Sequence, residues 1–172
     1  MATAAGDMAI PKGTWYGNIF VMLRQMLVFT KPITNQIFDG GVNLYCGMLA
    51  VLTMFLYLFV KEHPWKKFRK YVLLVLLVIS FNHGTLNYIW HGMHDQYGIP
   101  NRFSFVFIFV LLVMAYDAVQ SITEIDIYFV ISSILLAGAF AFACKQQAGA
   151  TIGKYTLPAS LVLLVIYGVT CC

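Results

Sequence analysis

Five long apolar runs constrain this chain more than any other feature of its sequence. A helix that crosses a bilayer needs about 20 mostly apolar residues, with a usable range of roughly 17–25. Residues 44–60, 71–90, 103–120, 127–144 and 155–171 all fall in that range. Hydrophobic residues make up 60% of the 172-residue chain and charged residues 10%, with a mean hydropathy of +0.79. An ordinary soluble domain carries about 25% charged residues, so this chain cannot build a polar shell around a core. The runs are too long for strands and lack period-two alternation. In lipid each backbone amide must be satisfied within its own segment, so an all-α, multispan transmembrane helix bundle is expected, with about five spans.

The first 43 residues read differently. Residues 14–30 are apolar but interrupted by Arg24 and Gln25, with Asn18 and Lys31 about a heptad to either side. That pattern predicts a helix with a narrow polar stripe, lying in the interface or packed on the bundle. Two regions follow: an N-terminal extracytoplasmic or interfacial segment, 1–43, and a helix bundle, 44–172.

Positive charge sets the expected orientation. The loop 61–70, KEHPWKKFRK, holds five Lys and Arg residues in ten and is assigned to the cytoplasm. Alternation then makes loop 91–102 extracytoplasmic, in a multi-pass membrane protein. The net charge of +4 forms no continuous groove, so no nucleic-acid partner is expected. The four cysteines show no disulfide or metal spacing. Asp117, with Glu124 and Asp126, is expected to face water.

Polar groups inside the hydrocarbon raise a functional question by default. Ser80, His83, Asn87 and His91 are offset by 0, 3, 7 and 11 residues. On one continuous helix they share an arc of roughly 80°. That face leads into His94, Asp95 and Arg102. Arg102 offers a planar fork for phosphate oxygens, and histidines can pair with phosphate or shuttle a proton. The candidate pocket is therefore lined by His83, Asn87, His91, His94, Asp95 and Arg102, facing an anionic lipid headgroup. His91, His94 and Asp95 could supply three metal ligands, but no fourth exists beyond His83, and Gly98 and Pro100 mark a turn. No metal is expected, and no cofactor, with a divalent cation the one addition left open. Hydrogen bonding between helices is the competing explanation for Ser80, Asn82 and Thr85.

The segment LNYIWHGMHDQYGIPNRFSFVFIFVLL resembles the bacterial YfhO family of large multispan membrane proteins. That family has a Trp-His-Gly-aromatic loop followed by Pro, Arg and a Ser-Phe opening the next span. Here these are Trp90, His91 and Gly92, then Pro100, Arg102, Phe103, Ser104 and Phe105, with Met93 where an aromatic residue is expected. The upstream GGVNLYCGML, residues 40–49, is similar to the family's Asn-aromatic-x-Gly lead into a span. The resemblance covers residues 14–120; the spans after Ser121 are generic.

The resemblance implies a C-type glycosyltransferase fold acting at the outer face. The donor would be a polyprenyl-phosphate-linked sugar, and the acceptor a cell-envelope polymer of teichoic or lipoteichoic acid type. It implies a donor-phosphate role for His91 and Arg102. The family's activating carboxylate lies in an external loop that has no counterpart here. Asp39 and Asp95 are the outer carboxylates, and neither matches, so the base is unassigned. The family's greater length implies that the chain is a middle piece of a longer protein. The alternative is a transporter or a lipid-headgroup-binding subunit without catalysis of its own.

Overall fold

The computed structural model describes residues 13–32, 41–93, 101–148 and 153–171. Among these the fold is all-α, with helices α1 (Ile19–Leu23), α2 (Met48–Leu56), α3 (Pro64–Asn82), α4 (Gly84–Trp90), α5 (Ser104–Gln120), α6 (Ile127–Ala148) and α7 (Thr156–Thr170). By length and composition, Ile127–Gln147 within α6 is the one described helix that meets the requirement for crossing a membrane, at 21 residues and a mean hydropathy of 2.2. Met48–Phe59, Ser104–Gln120 and Thr156–Thr170 are apolar but shorter, and α3 carries Lys66, Lys67, Arg69 and Lys70 in its first two turns.

Helix α2 is central, packing against α5, α6 and α7. Met48, Ala50, Val51, Leu52, Thr53 and Leu56 are all buried, as expected of a helix that is apolar all round. Its one polar side chain is satisfied internally: the Thr53 hydroxyl donates to the Leu49 carbonyl at 2.8 Å. The helix starts at Met48 rather than Leu44, because Gly47 has φ 95° and turns the chain into it. A 3₁₀ turn, Tyr57–Phe59, closes it.

The expected second span, 71–90, is not one helix. His83 is extended, with φ −120° and ψ 121°, and separates α3 from α4. Asn82 and Gly84 are weak helix formers, and an outside segment satisfies the backbone groups that the break releases. Tyr16 donates its amide to the Asn82 carbonyl at 2.9 Å, and Gly84 donates to the Thr14 carbonyl at 2.9 Å. The Asn82 carboxamide donates to the Gly17 carbonyl at 2.8 Å and accepts from the Gly17 amide at 3.1 Å. Residues 14–17 thus lie across the break as a strap, through an isolated β-bridge between Trp15 and His83.

That strap also corrects the expected helix over 14–30. Helix is confined to Ile19–Leu23, capped by Asn18, and a 3₁₀ turn, Arg24–Met26. Phe29 has φ 57°, so the helix cannot run on to Lys31. The proposed polar stripe dissolves: Gln25 is buried and donates to the Lys31 carbonyl, while Asn18 reaches Gln147 on α6. The segment packs on the bundle, with α1 against α6 and α3.

Candidate functional site

Helix α4 ends in a Schellman turn that presents His91. Gly92 has φ 71° and donates to the Ile89 carbonyl at 3.1 Å, and Met93 donates to the Tyr88 carbonyl at 3.0 Å. Glycine is favoured here because an L side chain in that conformation costs roughly 1–2 kcal/mol. The turn leaves His91 as the C-cap residue at the helix end.

Across the loop, Asn101 also lies in the left-handed region, at φ 54°, and is buried. It accepts a hydrogen bond from Asn87 of α4 and donates to the Gly41 carbonyl at 2.8 Å. Arg102 follows as an exposed residue in the turn before α5. Phe103 fills the corner: its ring lies 4.8 Å from Phe81 and 5.3 Å from Trp90, both stacked, and 5.6 Å from His91, edge to face. Trp90 is tied to α3 by a 3.1 Å bond from its indole to Ser80.

The His91 ring is oriented by its own helix. Nδ1 lies 2.8 Å from the Asn87 carbonyl oxygen. A carbonyl only accepts, so Nδ1 carries the proton. Nε2 is buried and has no partner among the described residues. In the neutral ring it is an acceptor, and in the imidazolium it becomes a second donor.

The predicted set therefore divides. Asn87 and His91 of α4 meet the corner at residues 101–103, Asn87 through Asn101 and His91 through Phe103, with Arg102 exposed between those two residues. His83 sits instead at the helix break, 5.0 Å from the Trp15 ring, where its Nδ1 accepts from the Leu86 amide as the α4 cap. The single helical face expected of Ser80, His83, Asn87 and His91 does not form, because the extended residue resets the phase of the helix. His94, Asp95 and Asp39 lie outside the described residues. Among the described residues, no group of three or more His, Cys, Asp or Glu side chains stands together to hold a metal. Asn101 was missed in the sequence because its partners, Asn87 and Gly41, lie 14 and 60 residues away.

A second polar cluster lies at the opposite end of the bundle. Lys70 Nζ is 2.5 Å from Asp117 on α5, donates to Tyr57 at 2.7 Å, and lies 3.5 Å from Glu62. The Tyr57 hydroxyl donates to Glu62. Burial works against the Glu62 carboxylate, but the bond from Tyr57 and the charge of Lys70 prevail and hold it below the usual carboxylate range. Asp117 is only partly exposed to water, being paired across to α3, whereas Glu124 and Asp126 are exposed as expected.

No curated protein and no solved structure matches the chain. The family described as "Bacterial membrane protein YfhO" matches residues 12–172, which extends past Gln120 through α6 and α7. With its Trp-His-Gly turn and Asn-Arg-Phe-Ser corner joined in one place, the chain belongs to the YfhO family of bacterial membrane proteins.

Proposed function

We propose that this chain forms part of a multi-pass membrane glycosyltransferase that takes a sugar from a polyprenyl-phosphate donor. The acceptor in this reading is a cell-envelope polymer of teichoic or lipoteichoic type, with loop 91–102 outside and loop 61–70 in the cytoplasm. The observation that carries the reading is the buried Nε2 of His91, unpartnered among the described residues, on a ring packed edge to face against Phe103, the residue that follows Arg102.

In such a transfer the bond between the sugar's anomeric carbon and the phosphate oxygen breaks. The acceptor oxygen bonds to that carbon and loses its proton to a base, which remains unassigned. Negative charge builds on the departing polyprenyl phosphate. A guanidinium at that point stabilises the charge as it develops. In this reading the Nε2 atom of His91 is the second polar group offered to the phosphate.

Arg102→Ala in the full-length protein is expected to abolish sugar transfer to the polymer while membrane insertion and amount stay unchanged. His91→Gln, which keeps a polar side chain that can donate but loses the ring packed on Phe103, is expected to retain part of the activity. Normal transfer by Arg102→Ala, followed by mass spectrometry of the polymer, would sink the proposal.

One observation favours a transporter reading: a discontinuous helix carrying polar residues is a common pointer to a transport site. Here the strap at 14–17 already satisfies the break's backbone groups, which leaves fewer for a substrate. Movement of the lipid-linked sugar by the purified protein without a new glycosidic bond would favour that alternative.

A further inference from the structure

The basic loop and the start of α3 divide their side chains between two directions. Lys70 and Glu62 turn into the network with Tyr57 and Asp117, and Lys67 donates to the Leu58 carbonyl at 2.9 Å. Lys61, Lys66 and Arg69 remain exposed, and Lys66 has only a loose 3.9 Å pairing with Glu62.

Beside these cations stand two large exposed rings. Trp65 and Phe68 are 59% and 55% exposed, and stack on each other at 5.3 Å. Val72, Val75 and Leu76 continue the exposed surface along α3. At 100° per residue, these five fall within an arc of roughly 100°, with Arg69 bordering it. No described helix covers this face, and it changes from cationic and aromatic to wholly aliphatic within about three turns of helix.

We infer that the first turns of α3 form a docking surface for anionic phospholipid, with the headgroup held by Lys61, Lys66 and Arg69 and the acyl chains lying along Phe68, Val72 and Val75. The chemistry matches at each level. Trp and Arg settle at the headgroup boundary, where an amphipathic side chain meets both media. Clustered cations beside a membrane helix attract anionic headgroups additively. The aliphatic stretch belongs in hydrocarbon. The inner network is what frees these cations for lipid, because it supplies the Glu62 and Asp117 carboxylates with Lys70 and Tyr57.

The test is native mass spectrometry of the purified full-length protein in micelles containing equal phosphatidylglycerol and phosphatidylcholine. The wild-type protein should retain phosphatidylglycerol in excess. The triple variant Lys61→Gln, Lys66→Gln, Arg69→Gln should lower that preference at least about fivefold, the effect of one cation removed from an anionic surface. Trp65→Ala with Phe68→Ala should lower retention of both lipids. Asp117→Asn, which strikes the network and not the surface, should melt earlier yet keep the preference. Inorganic phosphate in excess should not displace the lipid, because it has no acyl chain to lay on the aliphatic face. Equal retention by the wild-type protein, an unchanged ratio in the triple variant, or displacement by phosphate would each overturn the inference.

Discussion

Asn101 shows how one side chain can fix a corner that carries a candidate site. Its backbone at φ 54° is a conformation that Asn and Gly tolerate and other residues resist. Its carboxamide is also the link between α4, through Asn87, and the segment before α2, through Gly41. The two roles separate by substitution. Asn101→Gly keeps the conformation and loses both bonds, leaving Asn87 buried without its partner, at a cost of about 1–3 kcal/mol. Asn101→Ala adds the strain of a Cβ in the left-handed region, about 1 kcal/mol more. Thermal unfolding in detergent should therefore rank the wild-type protein above Asn101→Gly, and that above Asn101→Ala. Equal melting of the two variants would mean that the backbone conformation contributes nothing.

Among the elements, α6 and α7 pack closely on each other. Thr156, Ser160, Leu164 and Gly168 form the buried face of α7, recurring every four residues as small-residue helix contacts do in membranes. A Cβ added at Gly168 would stand 2.2 Å from Cδ1 and 2.9 Å from Cγ1 of Ile134 on α6. Gly168→Ala is expected to destabilise by about 1–3 kcal/mol through overpacking. Ile134→Ala removes both opposing atoms, so the double variant should recover most of that loss. A double-mutant cycle reads the coupling directly, and strictly additive losses would rule out the contact. The apolar runs for α5, α6 and α7 were legible in the sequence to within a few residues, because hydropathy alone decides them. The break at His83 was not, because its stability comes from residues 14–17, some 65 positions away. The N-terminal helix was over-extended for the same reason, since the segment that reads as apolar helix is held extended as a strap. Of the site, Trp90, His91 and Arg102 were legible as a motif, while the Asn87–Asn101 link and the Lys70–Asp117 pair depend on tertiary contact that no local pattern records.

For the whole molecule, α5 is the element that connects the two polar ends. It begins at the His91–Phe103 corner and reaches Asp117 near its last turn; 14 residues of helix from Phe103 to Asp117 make a separation of about 21 Å. Lys70 and Asp117 are 22% and 29% exposed, so their pair is worth less than a fully buried one. Removing one partner by Asp117→Asn should cost about 1–2 kcal/mol once solvent screening is allowed for. If the close-packed α2–α5 contact only holds the ends in place, damage at one end leaves the other intact. Asp117→Asn and Asn101→Ala should then add to within about 0.3–0.5 kcal/mol, as distant sites without shared partners do. Asp117→Asn should also keep its sugar transfer at temperatures below its melt. A coupling well above that limit, together with lost transfer in Asp117→Asn below its melt, would show instead that α5 moves as a rod between two positions. The ion pair would then set which of those positions the corner at His91 and Arg102 adopts.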